Sequence, residues 1–303
     1  MMIGMRYLLP HPDAVADLSD LDVGLYDGTQ PLPENLDDVE LYAVPYGIID
    51  PRLCEPITQM PRLNVVQTVT AGYDHVLPFL RPGLTLANGR GVHDAATAEL
   101  AVALTLAARR GLPQLVRAGD EGRWDPYWSR GLADARVLIV GYGSIGAAIE
   151  RRLAGFEVAV SRVARTARPG VRPISEIADM LPHADVVILS APLTPETEGM
   201  VNSDFLAKMA DGALLVNVSR GRVVDTDALL TELSKGRMHA ALDVTEPEPL
   251  PAGHPLWSAP NVLISPHVGG LTAALSPRAR RLLVNQVRRH AAGEPLANVV
   301  VAP

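Results

Sequence analysis

The segment VLIVGYGSIG, residues 137–146, ends a branched apolar run in Gly-x-Gly-x-x-Gly and leads into the helix-compatible stretch SIGAAIERRLA. The pattern predicts a strand, a glycine turn and a helix, the arrangement that receives a dinucleotide pyrophosphate. Gly141 permits the sharp turn out of the strand. Gly143 lets backbone N–H groups approach the phosphates, and Gly146 lets helix and strand pack closely. Ser144 and Ile145 open the helix, whose first N–H groups and partial positive charge face the anion.

Further strands are expected after this one at EVAVS (157–161), DVVILS (185–190), ALLVNVS (213–219), AALDV (240–244) and VLISP (262–266). They are continuous apolar runs rather than alternating ones, as in a parallel sheet covered by helices on both faces. Before it, MRYLLP (5–10), DVGLYD (22–27), LYAVPYG (41–47), NVVQTVT (64–70) and LTLANG (84–89) read as strands separated by helix- or loop-length segments. Residues 93–110 form a helix apolar nearly all round, of the kind buried between layers or domains. The last helical stretch, 276–293, lies beyond the final strand and is expected to return to the first domain. The predicted architecture is α/β, with two doubly wound parallel-sheet domains. A Rossmann cofactor domain, 94–271, is inserted into a flavodoxin-like substrate domain built from 1–93 and 272–303. Crossings near 91–95 and 270–273 would form a hinge over a cleft.

Bulk properties exclude several classes. The 303 residues are 48% hydrophobic and 20% charged, ordinary values for a folded globular chain. A formal net charge of −7 argues against a polyanionic partner, so no nucleic acid is expected. The single cysteine, Cys54, rules out an intrachain disulfide and a multi-cysteine zinc site. No metal site is expected, because the histidines show no pairing at metal-ligand spacing. No apolar run reaches transmembrane length and the first residues do not read as a secretory signal, so a cytoplasmic location with no membrane association is expected.

Three segments end strands of the second domain: NVSRGRVVD, ALDVTEPEPLP and LISPHVGG. Ligands of open α/β sheets bind at the carboxyl ends of strands, so Arg220, Glu248 and His267 stand where a substrate would meet a nicotinamide. Reduction of a 2-oxo acid asks for a guanidinium fork on the carboxylate. It asks for an imidazole to protonate the carbonyl oxygen. It also asks for a carboxylate on the second imidazole nitrogen, fixing the ring and favouring its charged form. Taken singly, each residue reads equally well as a surface ion pair, a strand-end histidine or a solvated turn residue. Taken together downstream of a dinucleotide loop, they read as a site. The acidic stretch ENLDDVE, 34–40, reads as a solvated face.

Through TAELAVALTLAARR, GYGSIG, PLTPETEGMVN, LLVNVSRGRVVD, ALDVTEPEPLP and NVLISPHVGG, the chain resembles the D-isomer-specific 2-hydroxyacid dehydrogenases over essentially its whole length. That family includes glyoxylate/hydroxypyruvate reductases, D-lactate dehydrogenases and phosphoglycerate dehydrogenases. The resemblance implies that Arg220 binds substrate, that Glu248 rather than the nearby Glu246 partners the catalytic histidine, and that His267 is the acid/base. It implies that the TAGYD turn, 70–74, offers the amides of Ala71 and Gly72 to the substrate carboxylate, although a plain strand-to-helix turn fits too. It also implies that Thr97, Pro192, Thr197, Val218, Asp243, Gly269 and Gly270 line the cofactor. Asp243 would face the carboxamide, or else serve as a turn cap after its strand.

An NAD site usually carries an acid about twenty residues past the first glycine. The end of EVAVS instead holds Ser161, then Arg162, with Arg165 close behind. With no acid to repel a 2′-phosphate and with guanidiniums to bind it, NADP(H) is the preferred cofactor and NAD(H) a possible one. The expected activity is NADPH-dependent reduction of a small 2-oxo acid of the glyoxylate or hydroxypyruvate type, the D-configuration of the product following from the resemblance alone. Two alternatives stay open. One is NAD-linked oxidation of a specific hydroxy acid such as phosphoglycerate, against which the 303 residues leave no room for a regulatory carboxy-terminal domain. The other is a cofactor-sensing scaffold like the carboxyl-terminal-binding-protein corepressors. A homodimer is expected, with WDPYW (124–128) either at its interface or packed within one chain. The substrate side-chain pocket is expected among first-domain loops around Tyr46.

Overall fold

Branched and apolar residues set the strands of both halves of the chain, in a computed structural model that describes residues 6–46 and 50–302. Met5 and Gly47, at the edges of two expected strands, lie outside the described residues. The chain divides into two units, residues 1–93 with 272–303, and residues 94–271. The first unit opens with β1 (Tyr7–Leu9), α1 (Pro12–Asp17), β2 (Val23–Leu25), β3 (Leu41–Val44), β4 (Val65–Thr68) and β5 (Thr85–Ala87). The second holds α2 (Asp94–Arg110), α3 (Leu112–Asp120), β6 (Arg136–Val140), α4 (Ser144–Leu153), β7 (Ala159–Ala164) and β8 (Arg172–Pro173). It continues through α5 (Ile177–Met180), β9 (Val186–Leu189), α6 (Ser203–Lys208), β10 (Leu214–Asn217), α7 (Thr226–Ser234), β11 (His239–Leu242) and β12 (Val262–Ile264). The chain then returns to the first unit with α8 (Leu275–Ala291) and β13 (Val299–Val301).

The second unit is a seven-stranded parallel sheet in the order β12-β11-β10-β9-β6-β7-β8. Its central strands β6, β9 and β10 are almost wholly apolar because both faces are covered. Leu138 and Val140 of β6 enter one core with Val187, Leu189 and Leu215. Val137 and Ile139 enter the other, with Ile188, Val216 and the α2 residues Ala98 and Ala101. Chain order reverses between β6 and β9, and this switch point is where ligands of doubly wound sheets bind. The long apolar helix expected at 93–110 is α2, which buries Ala96, Ala98, Ala101, Val102 and Leu104.

The first unit is a six-stranded sheet in the order β13-β5-β4-β3-β1-β2, the flavodoxin-like order with one strand added. The expected parallel sheet is formed by β1 to β5, and β13, which was not among the strands expected from sequence, is added antiparallel to β5. NVVVAP at the chain's end is too short to announce itself as a strand. A buried amide pins it instead: Gln286 Nε2 donates to Gln67 Oε1 (2.6 Å) and to the Ala297 carbonyl (3.0 Å), and the Ala297 N–H donates to Gln286 Oε1 (2.9 Å).

Candidate active site

The glycine loop leaves β6 at the switch point. Gly141 has φ +93°, a left-handed conformation, and a Cβ there would fall 2.3 Å from the Ala191 backbone nitrogen just past β9. A Cβ on Gly146 would lie 2.5 Å from the Gly141 carbonyl oxygen, so α4 rests directly on the turn. Ser190 Oγ ties the two loops by donating to that same carbonyl at 2.6 Å. Gly143 is the N-cap of α4, no side chain caps it, and a Cβ on it would meet no protein atom within 4 Å. Uncapped amides at the start of a ten-residue helix, beside a residue open to close approach, fit a dinucleotide pyrophosphate.

Asp243, just past β11, is 3% exposed and holds the loop after β12. Its Oδ1 accepts from Ser265 Oγ (2.6 Å) and the Val268 N–H (2.9 Å), and its Oδ2 from the Gly269 N–H (2.9 Å). The Asp243 carbonyl accepts the His267 N–H at 2.8 Å. Thr97, 7% exposed on α2, completes the clamp by donating to the Gly269 carbonyl at 3.3 Å. Held in this way, His267 has φ +52°, a conformation costly for a residue with a β-carbon. Its Nδ1–H donates to Glu248 Oε1 at 2.5 Å. The side chains are 29% and 17% exposed, so the bond is shielded while the ring stays reachable. Glu246, two residues earlier, is exposed, and Thr226 Oγ1 bonds its carbonyl.

Arg220 lies in the loop after β10. Asn217, 1% exposed, shapes that loop: its Nδ2 donates to the Arg220 carbonyl (2.9 Å), and its Oδ1 accepts from the Ser219 N–H (3.0 Å) and Oγ (2.7 Å). The Arg220 guanidinium bonds the Ser219 carbonyl at 2.9 Å. A Cβ on Gly221 would fall 1.9 Å from the Thr245 carbonyl oxygen, so the Arg220 loop is pressed against the turn that carries Glu248. Asn217, Leu242 and Ile264 are register partners across β10, β11 and β12, and the three candidate residues leave this row on adjacent strands.

Residues 102–269 match the profile of the D-isomer specific 2-hydroxyacid dehydrogenase, NAD binding domain. A glyoxylate reductase/hydroxypyruvate reductase of Mus musculus is 35% identical, over 93% of this chain and 92% of its own. Among solved structures, a D-isomer specific 2-hydroxyacid dehydrogenase from Xanthobacter autotrophicus Py2, in complex with NADPH and MES, superposes with a TM-score of 0.82 at 30% identity, covering 98% of both chains. An NADPH-dependent glyoxylate/hydroxypyruvate reductase from Sinorhizobium meliloti, in complex with NADP and malonate, gives 0.81 at 28% identity, over 99% of this chain and 97% of that one. The chain belongs to the D-isomer specific 2-hydroxyacid dehydrogenases. It is therefore an NAD(P)-dependent oxidoreductase.

Within this dehydrogenase the loop after β9 is closed by Thr197, whose Oγ1 donates to the Pro192 carbonyl (2.6 Å) and accepts the Thr194 N–H (2.8 Å). Val218 is buried beside it, its N–H on the Leu189 carbonyl. Gly270 directly follows the clamped Gly269. In the first unit, Asn88 Nδ2 takes the Ala71 carbonyl (2.8 Å) and Thr70 Oγ1 the Gly72 carbonyl (2.7 Å). The turn at 71–72 is thus fixed through its carbonyls.

The adenosine end needs a correction. The strand expected at 157–161 is β7, 159–164, and Ser161 pairs with Leu138 in mid-strand. The Gly141 N–H bonds the Val163 carbonyl, so the position level with the glycine turn is Val163 and the strand end is Ala164–Arg165. Ser161 and Arg162 therefore sit short of the place assigned to them. Arg162 is also engaged: its Nε donates to Glu150 Oε2 at 2.7 Å. That guanidinium holds the Glu150 carboxyl below the usual carboxylate range, with the Tyr142 hydroxyl bonded to the same group. Beyond the strand end, Arg165 is exposed, and the Arg168 guanidinium bonds the Tyr142 carbonyl inside the glycine loop. Sequence reasoning missed Arg168, Ser265 and Asn217. The last left a usable signal, a lone amide in an otherwise apolar strand run.

The Asp243 clamp predicts that Asp243→Asn, which turns one acceptor into a donor facing N–H groups, costs about 1–3 kcal/mol of stability. Amide exchange at Val268 and Gly269 should rise at least about tenfold. Exchange there that matches the parent would show that the carboxylate does not hold the loop.

Proposed function

We propose that this dehydrogenase reduces small 2-oxo acids of the glyoxylate or hydroxypyruvate type to D-2-hydroxy acids with NADPH. The observation that carries the reading is the His267–Glu248 pair, held at 2.5 Å on the strand end next to the Arg220 loop. Gly141, Gly143, Gly146 and the first amides of α4 would hold the dinucleotide, which when bound supplies the hydride for the carbonyl carbon. Arg220 takes the substrate carboxylate through its fork of N–H donors. Glu248 keeps the His267 Nδ1–H occupied and the ring oriented, which leaves Nε2–H to protonate the carbonyl oxygen. The names of the mouse and Sinorhizobium relatives support the substrate class.

Arg165 and Arg168 carry the preference for NADPH in this reading. They are cations just past the end of β7, the segment 164–171 holds no acid although Glu196 lies in electrostatic reach of Arg165, and Glu150 neutralises Arg162. The enzyme is further proposed to be a homodimer. Leu112, Leu115 and Val116 of α3 and, soon after in the chain, Trp124 are exposed apolar side chains that a partner could cover.

His267→Ala is expected to lower kcat with glyoxylate by about 10²–10⁴ while the NADPH dissociation constant, read by nicotinamide fluorescence, stays within about threefold. Turnover near that of the parent would overturn the assignment. The double variant Arg165→Gln/Arg168→Gln should raise the NADPH dissociation constant about tenfold or more and leave that for NADH nearly unchanged, as loss of charge-assisted bonds to a 2′-phosphate requires. Ser161→Asp should leave the ratio of the two constants where it was, and a reversal would restore Ser161 to the selectivity position. Val116→Asp combined with Trp124→Asp should convert the sedimenting species to monomer; an unchanged sedimentation coefficient would place the interface elsewhere.

A further inference from the structure

A cavity lies at the other end of the same sheet. Leu214 and His239, the first residues of β10 and β11, are register partners and line it. The candidate catalytic loops leave the opposite, carboxyl ends of these strands. The cavity is about 170 Å³, against about 30 Å³ for one water. Its walls are built. Tyr127 donates its hydroxyl to the Arg110 carbonyl (2.5 Å), and Arg110 Nε donates to Ser129 Oγ (3.0 Å). Arg109 Nε donates to the Gly131 carbonyl (2.5 Å), and an Arg130 Nη to the Gly212 carbonyl (3.0 Å). Residues 127–131 are thereby stapled to the end of α2 and the start of β10.

Three basic side chains, Arg109, Arg130 and His239, share this space, and none of the residues lining it is acidic. Asp185 lies in electrostatic reach of Arg109, and Arg136 occupies it through Nε (3.0 Å), an Nη (3.2 Å) and its backbone N–H (2.8 Å). Arg109 spends Nε on the Gly131 carbonyl and an Nη on the Arg130 carbonyl (3.5 Å), Arg130 spends one Nη on the Gly212 carbonyl, and each guanidinium retains further N–H donors. The His239 ring is half-buried and makes no hydrogen bond among the described residues. Burial, with the neighbouring Arg130 and Arg109 charges, pushes its basicity down. Convergent cations without a counter-charge describe an anion receptor.

We propose that this cavity binds a compact dianion, a phosphate group, between Arg109, Arg130 and His239. Two guanidiniums supply charge-assisted donors, the neutral imidazole supplies a third, uncharged N–H, and Tyr127 and Trp128 line the mouth of the site. The site is separate from the cofactor loop and does not depend on the reaction assigned above.

Trp128 lines the cavity, so it is the reporter. In a Trp124→Phe/Trp257→Phe background with NADPH saturating, which fills the dinucleotide phosphate positions, inorganic phosphate should change Trp128 emission saturably at constant ionic strength. Chloride should not. The same titration should raise Tm in step with occupancy. Arg130→Gln and His239→Asn should each weaken the phosphate response about tenfold while NADPH still binds as in the parent. Glycerol phosphate separates the sources: tighter binding than inorganic phosphate indicates an esterified ligand, and equal or weaker binding indicates the free ion. A linear response shared with chloride, or variants that titrate like the parent, would overturn the site. A chain that failed to bind NADPH would count against the proposed reaction and leave the phosphate titration readable.

Discussion

The buried carboxylate of Asp243 is the interaction on which the candidate site rests. A carboxylate taken out of water is unfavourable unless its oxygens are bonded. Asp243 meets that requirement with three donors, Ser265 Oγ and the N–H groups of Val268 and Gly269. Those donors belong to the loop that must carry His267, so satisfying the charge and shaping the loop are one event. The clamp also offsets the cost of a left-handed backbone at a histidine, on the order of 1–3 kcal/mol. Charge-assisted bonds, each roughly twice as strong as neutral ones, are large enough to do so.

The rest follows from parallel sheet geometry. Residues 220, 248 and 267 are far apart in the chain, yet β10, β11 and β12 are adjacent and parallel, so their carboxyl ends open on one edge. Neighbouring strands lie about 4.8 Å apart, which brings successive loops within side-chain reach. Gly221 tightens the arrangement further, since any side chain there would collide with Thr245 and push the Arg220 loop away from Glu248. The glycine turn obeys the same logic one strand pair along. Gly141 sits under Ala191 where chain order reverses, between β6 and β9.

Strands buried on both faces were legible as apolar runs, because every residue of β9, and every residue of β10 but Asn217, enters one core or the other. The pairing of His267 with Glu248 was legible only through family resemblance, since spacing alone did not distinguish Glu248 from Glu246. Burial does: Glu248 is partly shielded and Glu246 is exposed. The end of β7 was not legible. Its hydrophobic stretch stops at Val160, but pairing with β6 continues through Ser161 and Arg162 to Val163. A backbone ladder near a sheet edge tolerates polar side chains that face solvent or find partners, so composition marks the end of burial and not the end of the strand. The clamp was equally hidden, because a carboxylate bonding backbone N–H groups 25 and 26 residues away leaves no periodic trace.

That shift of three residues changes the electrostatics at the adenosine end. Read at Ser161–Arg162, the cation facing a 2′-phosphate would be Arg162. In the folded chain its guanidinium is cancelled by Glu150 and stacked near the Tyr142 ring, 5.7 Å from the centroid. A compensated ion pair adds little attraction for an incoming anion compared with an uncompensated cation. Arg168 lies 5.6 Å from the same ring and bonds the loop carbonyl, and Arg165 precedes it by three residues. The Glu150–Arg162 pair therefore acts as a brace for the glycine loop. It fixes Tyr142 between two guanidiniums, and the proposed recognition of the extra phosphate falls to the residues just beyond. A chain carrying a net charge of −7 can in this way keep a local positive field beside the glycine loop.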